Sequence, residues 1–323
     1  MRRSFIAMMA LGLILALYAP LALANAGGAI TQEDPKKAEA DAYKLWYDAN
    51  QAKDYNKAME YAKAYLEKFP NGQYASYLKD KWIPSMRPFM FNEAMKAGNI
   101  NEMIRIGNEQ LAADPNNIDY LYLLAATIIA KELYAKPPVT THEKEAVDYA
   151  LRAAKLIEAG QQPKSVPPDK WKKNEALAYF YGAVASVERR NKNNDKALEY
   201  YQKATALEPA NPTNYLVCGQ IHQERYQEAV KVYQAMPEEK KTADPPDAEA
   251  KAALDKVNAA ADAVIECWAR FMAVSKNKPE WDATRNQVMP ALKGLYEYRH
   301  PDSPDGLQKL IDQYSANPPA PPK

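Results

Sequence analysis

The chain has 323 residues, 47% hydrophobic and 26% charged. That balance belongs to a folded chain and excludes an intrinsically disordered one. Its 42 basic residues face 41 acidic ones, so no net field favours nucleic acid or an anionic membrane as partner. Glycine is scarce at 11, while tyrosine reaches 22 against 6 phenylalanines, which suits half-buried helical surface that keeps a hydroxyl wet.

Residues 1–26 read as a signal peptide. Arg2 and Arg3 supply the positive start, Phe5 to Tyr18 is almost unbroken apolar sequence, and Ala24-Asn25-Ala26 gives the small-x-small cleavage pattern. The apolar run is short for a membrane span of ~20 residues. Arg2-Arg3 only partly matches a twin-arginine signal, and the apolar core favours general secretion. Cleavage near Ala26 removes two arginines and no acids, leaving 40 basic against 41 acidic residues, a net charge of −1. Export to the periplasm or medium follows, with no transmembrane segment in the mature chain. Residues 27–37 read as a flexible lead-in.

Beyond it, a small residue is repeatedly followed by apolar or small residues four and seven positions later. This happens at Ala58, Ala62 and Tyr65; at Ala146, Ala150 and Ala153; at Ala197, Tyr201 and Ala204; and at Ala229, Tyr233 and Met236. Such offsets share one helical face, and alanine there lets a second helix approach closely. Phe69-Pro70, Asp114-Pro115 and Glu208-Pro209 each predict a helix stop, because proline lacks the donor a continuing helix needs and pushes the preceding residue out of helical geometry. Asn116-Asn117 and Asn211-Pro212 then offer caps for new helices. A short helix is expected at Tyr74 to Trp82. Proline insertions are expected at Pro137-Pro138 and in the linker Gln161 to Asp169.

Residues 238–247, with Pro245-Pro246, read as a loop. A long helix follows from Ala248 to Val274, with Leu254, Val257, Ala261, Val264, Trp268 and Phe271 on one face. Pro279 to Tyr298 predicts a second helix, kinked at Pro290, and Ser303-Pro304 starts a third that ends near Tyr314. Together, residues 248–315 read as a helical cap, and 316–323 as a disordered proline-rich tail.

The paired helices, small-residue positions and terminal prolines resemble tetratricopeptide repeats, a family built on helix-turn-helix units of ~34 residues. The best match runs from Asn174 to Pro209, through Tyr179, Gly182, Ala197, Tyr201 and Ala204. Ala40 to Pro70 is next. Asn117 to Glu158 matches at both ends around a lengthened turn, Pro88 to Pro115 matches weakly, and Pro212 to Pro237 has a short turn between its helices. The resemblance covers residues 38–237. It implies an all-α solenoid of about five irregular repeats, closed by the cap. It also implies a concave groove lined by the first helix of each repeat: Tyr43, Tyr47 and Asn50; Leu121, Ala125 and Ile128; Tyr179, Ala183 and Ser186; then Gln220 and Gln223. No lysine clamp for carboxylate-ended peptides appears among these positions.

Cys218 and Cys267 could pair as a disulfide in an oxidising compartment, or could both be small buried residues. No catalytic constellation stands out. His142, His222 and His300 are far apart in sequence; His222 follows Cys218 by four residues, but two ligands do not make a metal site. Glycines after Gly27-Gly28 are isolated, so no phosphate-binding loop is expected. These readings imply a non-catalytic exported scaffold that needs no cofactor or metal and holds a protein or peptide in its groove. A carbohydrate or cell-wall binding module is the alternative, and an enzyme with an unrecognised site the second.

Overall fold

The computed structural model describes residues 34–303 and 305–316. The expected signal peptide 1–26, most of the expected lead-in 27–37 and most of the expected tail 316–323 lie outside the described residues. Among the described residues the regular elements are helices, with no strand, and no helix is long and apolar enough to cross a membrane. The chain divides into two compact units after Pro84.

In the first unit, α1 (Pro35–Gln51) starts on an Asp34 cap three residues before the expected boundary, with proline in its first turn. It packs on α2 (Tyr55–Lys68). Ala58 and Ala62, both fully buried, form the close contact face, with Tyr65 beside them at 1% exposure. The short helix expected near residue 74 is α3 (Ala75–Tyr77), followed by a π turn at Leu78–Trp82.

The boundary between units falls in the first turn of α4 (Ile83–Ala97). Pro88, expected to begin a repeat, lies inside α4 instead. The apolar residues Phe89, Met90 and Phe91 continue the helix past it, and Phe91 is buried at 1% exposure.

The second unit continues through α5 (Ile100–Ala113), α6 (Ile118–Ile128), α7 (Glu143–Glu158), α8 (Lys173–Arg190), α9 (Asn194–Leu207) and α10 (Pro212–Gln234). From α5 to α10, each helix packs on the next in the chain. The alanines at 146, 150, 153, 197 and 204 are at most 1% exposed. The fourth expected triplet is different: Ala229, Tyr233 and Met236 are only half-buried.

Pro212 to Pro237 was expected to form a helix pair, but α10 is a single helix. His222 to Ala229 contains no glycine, proline or asparagine to break it. Its packing partner is α12 (Ala248–Ser275), which lies against it along much of its length. The expected loop 238–247 opens with a one-turn helix, α11 (Glu238–Lys241). Helices α13 (Asp282–Arg299) and α14 (Gly306–Ala316) then pack on α12. Pro290 lies inside α13. Val264, Trp268 and Phe271 of α12 are buried with Leu292 of α13 and Ile311 of α14.

Two backbone devices recur. After α1, α4 and α8 the chain turns through Lys53, Gly98 and Lys192, with φ of 59°, 69° and 62°. Asp54, Asn99 and Asn193 follow, and their amides donate back to Ala49, Ala94 and Glu188 at 3.0, 2.9 and 2.9 Å. Helices α2, α5 and α9, each 14 residues long, come next. All three end at a residue forced out of helical geometry before proline: Phe69, Asp114 and Glu208, with φ of −128°, −138° and −130°.

Candidate functional site

A cleft of about 860 Å³ lies in the second unit. Helix α6 contributes Tyr122, α8 contributes Tyr179 and Ser186, α9 contributes Tyr201 and α10 contributes Asn214. Both proline insertions reach it, the first through Tyr134, Lys136 and Pro138, the second through Val166, Lys170 and Trp171.

The first insertion is shaped by a π turn at Ile129–Leu133, which ends α6. Glu132 in that turn is buried at 8% exposure. Its carboxylate lies 2.8 Å from His142 Nδ1 and accepts the His142 backbone N–H at 3.3 Å. The other ring nitrogen of His142 lies 2.9 Å from Asn101 Oδ1. The Glu132 carbonyl also accepts the Val139 amide at 2.9 Å. One buried residue therefore ties together both ends of loop 134–142. The second insertion is tied to α6, where Asp119 Oδ1 accepts the Ser165 amide at 2.7 Å.

Tyr134 leaves the π turn and sets its ring edge-to-face against Tyr179, with centroids 5.6 Å apart. Its residue remains 45% exposed. Its hydroxyl lies over Gly182, 3.8 Å from where a β-carbon there would sit. Tyr122 makes edge contacts with Trp171 at 5.8 Å and Phe180 at 5.5 Å. Burial, with the neighbouring Tyr122, pushes the Tyr179 hydroxyl up to about 12. Burial likewise raises Tyr134, Tyr122 and Tyr201. The cleft thus presents neutral phenols that donate and accept hydrogen bonds.

Charges of both signs edge the cleft. Lys172 Nζ pairs with Glu175 Oε1 at 2.7 Å. Glu208 is held above the usual carboxyl range, mainly by burial and further by Glu175, against an opposing hydrogen bond from Asn211. Asn214 is 4% exposed, and its Nδ2 is buried without a hydrogen-bond partner. A buried unpaired amide costs free energy unless ordered water or a ligand satisfies it.

Of the residues expected to line the groove, Tyr179 and Ser186 line this cleft. The Ser186 hydroxyl donates to the Gly182 carbonyl at 2.9 Å and lies 3.0 Å from the Tyr201 hydroxyl. Leu121, Ala125 and Ile128 are fully buried in the core and offer a ligand nothing. Gln220 is exposed and Gln223 half-buried; neither lines the cleft. In the first unit, Tyr43 stacks on Tyr74 at 3.6 Å, Asn50 Oδ1 accepts the Trp82 indole N–H at 3.1 Å, and Tyr47 is open at 46% exposure.

The sequence reading missed Tyr122, Tyr134, Trp171 and Asn214. Trp171, just after the prolines of an insertion, was the available signal. Insertions in repeat proteins map to loops on one face, often the binding face. Cys218 and Cys267, with Cα atoms 5.9 Å apart, form a disulfide joining α10 to α12.

Fold and site together define an all-α protein with an open aromatic cleft. No protein-family model matches the chain, and no curated protein matches it significantly.

Proposed function

We propose that this chain is an exported, non-catalytic repeat protein of tetratricopeptide-like organisation that grips an extended segment of a partner polypeptide in the cleft of its second unit. The observation that carries this reading is the cleft itself, lined by Tyr122, Tyr134, Trp171 and Tyr179 and by Asn214, whose side-chain nitrogen has no hydrogen-bond partner. Its volume falls within the range of ligand sites. Tyrosine and tryptophan faces suit apolar side chains and prolines, and the amide suits a backbone carbonyl.

The repeat reading draws support from the recurrent left-handed turns, the 14-residue second helices and their shared stop before proline. The export reading rests on residues 1–26 of the sequence. The non-catalytic reading rests on the company of Ser186: its hydroxyl meets a carbonyl and a phenol, and no histidine lines the cleft.

The test is selection from a displayed library of random linear peptides on the wild-type protein, followed by titration of the selected peptides against Y134A. Tyr134 is 45% exposed, and circular dichroism of Y134A separates a lost contact from a lost fold. We expect peptides whose affinity falls at least about tenfold in Y134A, near the 1.4 kcal/mol expected of one lost aromatic contact. A selection that yields no peptide dependent on Tyr134 overturns the proposal. The same rings and amide would also stack on a sugar, so soluble cell-wall oligosaccharides form the second arm. Binding there alone would favour the glycan reading.

A further inference from the structure

A second site lies between α10 and α12, away from the cleft. Cys218 and His222 are one helical turn apart on α10 and share a face. Cys267 faces them from α12. Two sulfurs and an imidazole nitrogen lie within 4.8 Å of one another. Cys267 is buried, while Cys218 and His222 are half-buried, so the cluster is enclosed on one side and reachable on the other. His222 also lines an open apolar groove between the two helices. Two thiolates and an imidazole are a donor set for thiophilic d10 ions, either Zn²⁺ or Cu⁺.

The disulfide is not the sole tie between these helices. Gly219 and Trp268 are next in sequence to the two cysteines. Trp268 fills the space a side chain at 219 would need, and its indole N–H donates to the Leu216 carbonyl at 3.4 Å. That packing does not depend on the disulfide bond. Tetrahedral Zn–S bonds of about 2.3 Å set two sulfurs about 3.8 Å apart. The 5.9 Å between the Cα atoms leaves room for that spacing.

We propose that Cys218, His222 and Cys267 form a redox-gated site that takes one thiophilic metal ion when the disulfide is reduced. A dithiol supplies the two electrons and two protons that convert the disulfide into two thiols, and becomes a disulfide itself. The ion then displaces both thiol protons and gains two thiolates and one imidazole nitrogen. With Zn²⁺, water completes the four-coordinate shell; Cu⁺ is satisfied by the three. Thiol–disulfide exchange with an oxidised dithiol, which takes up the two electrons and two protons and becomes a dithiol again, re-forms the Cys218–Cys267 bond and releases the ion, because disulfide sulfurs carry no charge to hold it.

The experiment uses the full chain, reduced with dithiothreitol under anaerobic conditions and desalted. Zn²⁺ and Cu⁺ are titrated separately against chromophoric chelators, with proton release and helical circular dichroism recorded alongside. The expected result is one equivalent of at least one ion per reduced chain, two protons released, and none bound by the oxidised chain. H222A should weaken binding more than about tenfold, since even an outer-shell contact contributes that much. H222Q provides a second variant that keeps a polar side chain. Absence of binding by a reduced chain that keeps its helicity overturns the proposal. So does unfolding on reduction, which would show that packing does not hold the ligands. Unchanged affinity in both His222 variants, or equal binding by the oxidised chain, overturns it as well.

Discussion

Trp268 occupies the space that a side chain on Gly219 would need, so a β-carbon built there overlaps its indole ring. Trp268 is 3% exposed and belongs to the core shared by α12, α13 and α14. Glycine at 219 is therefore the condition for α10 and α12 to approach. G219A should destabilise the fold by about 1–3 kcal/mol, the usual range for overpacking. Urea unfolding monitored by circular dichroism measures this, and an unchanged midpoint would contradict it.

Gly182 should behave in the opposite way. A β-carbon there meets only the Tyr134 hydroxyl, at an ordinary 3.8 Å. Alanine is a better helix former by roughly 0.5–1 kcal/mol. G182A should therefore stabilise the protein by about that much, while narrowing the cleft beside Tyr134 and weakening peptide binding. Paired melting and titration experiments separate the two effects. A loss of stability would contradict the open space beside Gly182.

Glu208 gives a pH-dependent prediction. Its folded-state pKa is raised, mainly by burial, so the ionised carboxylate works against the fold at neutral pH. That disadvantage is complete above the folded pKa and fades as pH falls towards the ordinary glutamate value. E208Q should therefore be slightly more stable than wild type at pH 7, with the difference closing near pH 4. Equal melting temperatures at pH 7, or a difference that grows in acid, would contradict the assignment.

His142 should control the first insertion. H142A removes the ring partner of the buried Glu132 carboxylate and leaves it the backbone N–H. We expect a loss of about 1–3 kcal/mol, with faster hydrogen exchange across residues 134–142. Exchange unchanged in that loop would mean that its proline-rich chain holds its own shape.

Much of the helical framework was legible because it rests on local rules. Proline after Phe69, Asp114 and Glu208 fixed three helix ends, and the spacing of Ala58, Ala62, Ala197 and Ala204 marked the faces that become buried. Helix α12 appears as Ala248–Ser275, one residue longer than its periodicity predicts. What failed depended on long-range packing. The 212–234 segment carries repeat-like residues, but its partner is α12, and nothing in α10 itself says so. The groove positions taken from the resemblance placed Leu121 on a binding wall, whereas the structure buries it completely. The cleft is framed by two insertions, and insertions are what a repeat pattern treats as departures. Trp171 and Tyr134 were visible as aromatics beside prolines, but their convergence depends on the Glu132 and Asp119 tethers, which join residues up to 46 positions apart.

The most direct test is hydrogen–deuterium exchange on the full chain, with and without a saturating selected peptide. Protection should concentrate in residues 122–138, 166–186 and 211–214, the segments that surround the cleft. Protection confined to residues 43–50, or spread evenly with no change around Tyr134 and Tyr179, would contradict the assignment of the cleft as the ligand site.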